Sequence, residues 1–303
     1  MKTNYYRVGG HTYKVNFLDD VNSDVLLPSS DPFKLDAVAE DETLLFEMNV
    51  NDGWRPAKRG SEIGQFDCGG NNHGVYQLED GSYQILVSDY MGHQCCLIEG
   101  SADFRSVNVC LNGNYAMRTF GLNNALMMTY AFAGADQKTV LMHASVIREN
   151  EDKAYLCLGV SGTGKSTHTS NWLKWVPNTD LMNDDNPVVR VCDDDVVRVY
   201  GSPWSGKTPC YRNIQAPVGA FLQLKQAPYN KIARQSVIEG FASLLPSCSV
   251  MKWDKRDYVG TCDTVSAILE RVPTYFLENL PDLDAVKMSY KAMTGKELET
   301  VNE

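Results

Sequence analysis

The sequence predicts an α/β fold, a mixed sheet of α+β character built around a glycine-rich turn, with a β-rich N-terminal domain ahead of it. Three observations lead there. From Tyr5 to about Leu111, short β-like runs are broken by Gly, Asn and Asp turn signals. Beyond Met117, helix-like and strand-like stretches follow one another. Between a strand-like run and a helix-like one stands the segment Gly159-Val160-Ser161-Gly162-Thr163-Gly164-Lys165-Ser166-Thr167. With 303 residues and domains of ~150, two domains are expected, 1–115 β-rich and 116–303 built on the glycine-rich turn.

In the first domain the β-like runs are Thr12–Phe17, Leu44–Val50, Ser82–Val87 and Val107–Leu111, and His11, His73 and His93 read as exposed loop histidines without ligand spacing. A helix from Met117 to Ala135 follows from the spacing of Leu122, Ala125, Leu126, Thr129 and Ala133, and Gly134 can end it. Strand-like runs Thr139–Ile147 and Ala154–Val160 flank a charged turn and predict a hairpin. If Ile147 pairs with Ala154, His143 falls opposite Leu158, one residue before the glycine-rich turn. Next come a helix over Lys165–Trp175 and a hairpin turning at Asp193-Asp194-Asp195, which reads as a solvated loop. They are followed by a strand Val218–Leu224, a helix Lys231–Leu245, a strand near Thr274–Leu277 and a terminal helix Leu283–Met293.

Composition narrows the function classes. The chain carries 28 Lys+Arg against 38 Asp+Glu, a formal net charge of -10, so no general attraction to nucleic acid or anionic lipid is expected. The first ten residues lack the apolar stretch of a signal peptide, and the run Ala125–Ala135 is too short to span a bilayer, which predicts a soluble, cytoplasmic chain with no membrane partner. Nine cysteines (Cys68, Cys95, Cys96, Cys110, Cys157, Cys192, Cys210, Cys248, Cys262) show no CxxC or Cys/His ligand spacing, so neither a disulfide framework nor a zinc site is expected.

The sharpest chemical signal is the full match of Gly159–Thr167 to GxxxxGK[ST], a phosphate-binding P-loop pattern. Glycines let backbone N–H groups turn inward around phosphate oxygens, a lysine ammonium reaches the terminal phosphates, and a hydroxyl binds Mg²⁺. From average residue usage a chance match in a chain this long is on the order of one in a hundred. The nucleotide-binding candidates are therefore Gly159, Ser161, Gly162, Thr163, Gly164, Lys165, Ser166 and Thr167, with Ser166 also facing the metal. Nineteen residues after Lys165 (184 minus 165), a short apolar run delivers the paired carboxylates Asp184 and Asp185. One can hold Mg²⁺ while the other orients or deprotonates the attacking group, and the residues leave open which does which. His143 is the third element, set beside the turn by the hairpin register. The fourth is the Gly/Pro-rich loop Gly201–Asn213, in which Lys207 and Arg212 are candidates for neutralising a transferring phosphate. His168, one helical turn after Lys165, is expected to pack or cap.

Taken together, His143-Ala144-Ser145, the GVSGTGKST segment and Asn183-Asp184-Asp185 resemble the catalytic domain of HPr kinase/phosphorylase. More distantly they resemble the nucleotide site of ATP-dependent phosphoenolpyruvate carboxykinase, where an MHxSA strand, a GLSGTGKT loop and a GDD element come in the same order. The stretch Gly201–Lys207 (GSPWSGK) also looks like a group of HPr-kinase-like proteins, and the resemblance covers roughly residues 117–290. It implies a carboxykinase-type P-loop fold, ATP with Mg²⁺, and transfer of the γ-phosphate to a serine-type hydroxyl. Carried over by position, it implies Ser166 and Asp185 on the metal and Asp184 with His143 on the acceptor's proton. The Glu-x-Arg-Gly-rich signature of HPr kinases is missing after the paired Asp, so a small-molecule or peptide hydroxyl is the expected acceptor rather than HPr.

The expected activity is thus an ATP-dependent kinase acting on a hydroxyl-bearing substrate, with no nucleic-acid partner and with homo-oligomerisation left open. The alternative is an ATP-binding regulatory or interaction module without phosphoryl transfer. The intact Lys165, Ser166, Asp184 and Asp185 argue for the former, because a pure binder needs no base.

Overall fold

The structure is a computed structural model that describes residues 1–66, 72–206 and 208–299, so Cys68 and Lys207 lie outside the described residues. The chain is a mixed α and β protein of two units: Met1–Gln137 with Met251–Tyr258, and Lys138–Val250 with Val259–Glu303. The expected boundary at 115/116 therefore moves to 137/138. The cause is helix α1 (Tyr115–Gly134), whose buried Leu122, Ala125, Leu126, Thr129 and Ala133 are the face that the sequence predicts. Its Tyr130 hydroxyl donates to Val8 O at 2.9 Å, and its ring meets Tyr13 edge-on, which ties the helix to the first unit. Residues 251–258 return to that same unit: Trp253 lies 5.4 Å from Phe66 between ring centres, and Tyr83 donates to Asp254 at 2.7 Å.

In the first unit, β1 (Lys2–Val8), β2 (His11–Phe17), β3 (Lys34–Leu35), β4 (Leu44–Val50), β5 (Ser61–Phe66), β6 (His73–Gln77), β7 (Tyr83–Ser88), β8 (Gln94–Gly100) and β9 (Ser106–Leu111) form one sheet in the order β3-β1-β2-β4-β9-β8-β7-β6-β5. The four runs read from the sequence are β2, β4, β7 and β9. His73 is not an exposed loop residue: β6 is paired on both edges, His73 is 2% exposed, and its Nδ1 accepts from Ser88 N at 3.3 Å.

The second unit comprises β10 (Thr139–Leu141), β11 (Ala144–Glu149), β12 (Lys153–Leu158), α2 (Lys165–Trp175), β13 (Thr179–Asp185), β14 (Val188–Val191), β15 (Val197–Tyr200), β16 (Gln215–Gln226), β17 (Lys231–Arg234), α3 (Val237–Leu244), α4 (Lys255–Leu269, from its second turn), β18 (Thr274–Asn279) and α5 (Leu283–Thr294). Its strands form a second mixed sheet, ordered β10-β14-β15-β16-β12-β11-β13, with β18 on β16 and β17 on β18. Strands β12, β16 and β18 are parallel neighbours. Strand β11 runs antiparallel between β12 and β13, so β13 points the same way as β12.

Successive side chains of a strand face opposite sides, and β12 shows the consequence. Ala154, Leu156 and Leu158 join a core with Leu244, Val265 and Ile268 of α3 and α4, while Tyr155 and Cys157 join one with Trp172, Val286 and Tyr290 of α2 and α5. The sheet is thus covered on both faces. Among the described residues, no helix is long and apolar enough to cross a membrane.

Three local expectations are corrected. The run Thr139–Ile147 is not one strand: β10 pairs with β14, β11 pairs with β12 and β13, and the chain changes neighbours at Met142-His143, where His143 N donates to Ser247 O at 2.6 Å. The hairpin register is shifted by one, Ile147 facing Tyr155, because Asn150 and Glu151 take positive φ (52° and 59°) and Asp152 is left outside the ladder. Residues 231–234 add an antiparallel strand to β18 instead of beginning a helix, and α3 starts only after Ser236, which forms a capping box with Glu239. Helix α4 is an element that the sequence reading lacked.

Helix α2 is locked to α5 through one hydroxyl. Trp172 Nε1 donates to Ser289 Oγ at 2.9 Å and that hydroxyl donates to Val286 O at 3.0 Å, so the His168 ring proton is assigned to Nε2, 3.0 Å from the same oxygen. Burial pushes the His168 imidazole down to about 4, below the ordinary 6.5 that the unfolded chain keeps. Between those values the unfolded state holds the extra proton, so the contribution is full above pH ~6.5 and is lost as pH falls toward ~4, by about 3 kcal/mol at most. Urea denaturation across this range is expected to show a smaller loss of stability in His168→Gln than in the wild type.

Candidate functional site

The carboxyl ends of β12 and β13 and the amino end of β11 lie at one edge of the second sheet, because β11 pairs antiparallel with both. The glycine-rich loop leaves β12 there. Gly159, Gly162 and Gly164 have φ of 150°, 85° and 96°, a region that side-chain-bearing residues avoid, and a Cβ on Gly159 would run into Thr163 Oγ1. Thr163 closes the loop by donating from Oγ1 to Val160 O at 2.8 Å. Ser161, Gly162, Ser166 and Thr167 are exposed.

Lys165 begins α2 and folds back into the loop. Its ammonium donates to Gly159 O at 2.8 Å and to His143 Nε2 at 2.9 Å. An ammonium only donates, so the His143 ring proton is assigned to Nδ1, which meets Asp185 Oδ1 at 2.8 Å. Burial pulls the Lys165 ammonium below its ordinary value, against the opposing pull of Asp185 and Asp184. Ser166 Oγ donates to Asp184 Oδ1 at 3.1 Å. The expected residues therefore meet, but in a different pairing: the hydroxyl faces Asp184 and the imidazole faces Asp185. Asp184 is 6% exposed and sits opposite Ser145 in the ladder, on the side of α2. Asp185 closes the strand with φ 142° and its carboxylate accepts a second hydrogen bond, from Asn186 Nδ2 at 2.8 Å.

The Gly/Pro-rich loop fixes these carboxylates from outside. Buried Asn183 donates to Ser202 Oγ (3.2 Å) and Trp204 O (3.3 Å), while its carbonyl oxygen accepts from Asn186 N (3.0 Å). Ser205 forms a bridge with Asp185, and Gly206 N donates to Asp184 O at 2.5 Å. So the segment 201–206 does lie at the acidic edge. Arg212 does not: its guanidinium shares Asp180 with Arg148 (2.9 and 2.7 Å) and donates to Leu181 O. Asp180 lies five residues before Asp185 on β13, roughly 16 Å away along an extended strand, so Arg212 is spent at the far end. Burial raises the Asp180 carboxyl, but both arginines outweigh it and hold it below the usual carboxylate range. Two carboxylates of the triple-Asp turn are likewise engaged, Asp194 on Arg198 and Asp195 on Arg271.

Motif spacing singles out none of Asn183, Asn186, Ser202 and Ser205 as a site residue in its own right. Nothing local in the sequence shows what the Asn186 amide, beside the acid pair, would hold. The arrangement can present hydrogen-bond donors and an ammonium to an anion, and hard oxygens to a cation. Among the described residues, no group of three or more His, Cys, Asp and Glu is arranged to hold a metal by itself. Comparison with protein-family models and with curated proteins finds no match.

Asn183→Ala would take from Asn186 N its acceptor and remove one donor each from Ser202 Oγ and Trp204 O, which stay bonded to each other. At about 1–3 kcal/mol for the one unsatisfied group, a loss of about 1–3 kcal/mol in urea denaturation is expected.

Proposed function

We propose that this chain is an ATP-dependent phosphotransferase of HPr-kinase-like P-loop type, with a hydroxyl group as acceptor. One observation supports it most: segments some twenty residues apart converge through three contacts, Ser166 on Asp184, Lys165 on His143 and His143 on Asp185. The exposed glycine-rich loop at the amino end of α2 suits phosphate, since its N–H groups and the helix dipole favour negative charge. Mg²⁺ fits the oxygen pair of Ser166 and Asp184, because it binds through one or two protein oxygens and completes its shell with phosphate and water. When bound, it neutralises charge on the transferring phosphate.

In this reading Lys165 exchanges Gly159 O and His143 for phosphate oxygens. His143 Nε2 is then released to take the acceptor's proton, and Asp185 steadies the resulting imidazolium through Nδ1. The acceptor oxygen forms a bond to the γ-phosphorus, the bond to the β–γ bridging oxygen breaks, and ADP leaves with that electron pair. The roles implied by the resemblance are exchanged: Asp184 serves the metal and Asp185 the proton.

The test has two parts. Mg-ATP is expected to raise the thermal midpoint, by about 2.7 kcal/mol of stabilisation at a hundredfold excess over Kd, and Lys165→Ala to remove the shift. Incubation with hydroxy amino acids, peptides and cell extract is expected to give a phosphate mass gain. Asp185→Asn is expected to cut that turnover about a hundredfold or more with ATP affinity kept, while Asp184→Asn weakens Mg-dependent ATP binding itself. A midpoint unmoved by millimolar Mg-ATP sinks the proposal, and binding without any mass gain leaves the regulatory module.

A further inference from the structure

We infer that a cleft on the β16–β18 side of the glycine-rich loop holds the nucleoside of a nucleoside triphosphate, so that the acceptor enters from the opposite, β11–β13 side. This rests on the proposed phosphate binding and adds to it a site and a direction.

The topology carries the argument. Strands β12, β13, β16 and β18 all point the same way, and ligands of open α/β sheets bind outside the carboxyl ends of such strands. The glycine-rich loop leaves β12 in the middle of that edge and divides it. On one side stand His143, Asp184 and Asp185. On the other, β16 ends at Gln226 and β18 at Asn279, and a cleft of about 350 Å³ opens between these ends and Thr163, Gly164 and Thr167. That volume falls within the ~300–1,000 Å³ of pockets that take small ligands.

The two sides differ in chemistry. The acidic side offers carboxylates, which repel a polyphosphate except through a cation. The cleft is lined by no carboxylate and no Lys or Arg, and its one ionisable group, His168, is held neutral by burial. Ala227, Leu280 and Pro281 supply an apolar wall, with Leu280 38% exposed, while Thr167 and the Gln226 and Asn279 amides supply polar groups at its rim. Gln226 also reaches the loop, donating from Nε2 to Gly162 O at 3.0 Å, so the wall and the phosphate loop form one continuous surface. Anchored by its phosphates at Lys165 and Ser166, a nucleotide that lays its uncharged end against this wall turns its γ-phosphate toward Asp185 and His143.

Calorimetric titration of the full chain with Mg-ATP and with Mg-tripolyphosphate tests this. The wild type is expected to bind ATP at least tenfold more tightly than tripolyphosphate. Ala227→Trp and Leu280→Trp, which fill the cleft, are expected to lose tenfold or more in ATP affinity and to keep tripolyphosphate affinity, which also reports that they fold. Photolabelling of the wild type with 8-azido-ATP needs no substitution, and its label is expected in the peptides containing Ala227 and Leu280. Equal wild-type affinity for the two ligands, ATP affinity unchanged in both variants, or label confined to residues 183–206 overturns the cleft assignment while leaving phosphate binding in place. A wild type that binds neither ligand overturns the phosphate reading and this inference with it.

Discussion

Everything at the candidate site depends on where β11 lies. A six-residue strand running antiparallel between β12 and β13 forces those two to point the same way, and it sets its own first residue beside their last ones. Three separate segments then share one edge: Ala144 stands between Leu158 on one neighbour and Asp185 on the other. Because His143 immediately precedes β11, it falls between the lysine that opens α2 and the carboxylate that closes β13. Ser145 adds a tie in the third dimension, its hydroxyl bonding Thr169 of α2 at 3.0 Å and so fixing the helix above the strand.

The edge is buried and hydrogen-bonded behind the two aspartates and exposed at the glycine-rich loop. Asn183, Ser202 and Trp204 are buried and joined by hydrogen bonds, so the loop after β15 braces the two aspartates from behind. Such a brace suits a carboxylate in a strained conformation, since the φ of 142° at Asp185 needs surroundings that over-determine it. The loop between β12 and α2 is exposed by contrast, and its lysine spends its hydrogen bonds on a backbone carbonyl and an imidazole. Both are neutral acceptors that an anion readily replaces.

How much was legible in the sequence follows from how local each signal is. The α1 face, the Lys165–Trp175 helix and the Leu44–Val50 strand came out nearly to the residue, because periodicity and glycine turns are properties of neighbouring residues. The hairpin register failed by one position, since two non-glycine residues, Asn150 and Glu151, adopt positive φ at its turn, which composition does not announce. Residues 231–234 read as helix because their strand character comes from pairing with β18, more than forty residues away in the chain.

The sequence by itself determined the kinds of chemistry present: a glycine-rich turn that feeds a helix with Lys165 and Ser166, an acid pair at a strand end, and a histidine near the turn. Only the tertiary structure decided their partners. It put Ser166 on Asp184 and His143 on Asp185, sent Arg212 to Asp180 at the other end of β13, and moved the unit boundary beyond α1. The physical reason is that adjacent side chains on a strand diverge and one end of a strand is far from the other. What a residue touches is therefore set by the neighbours that the sheet assembles around it, and those come from distant parts of the chain.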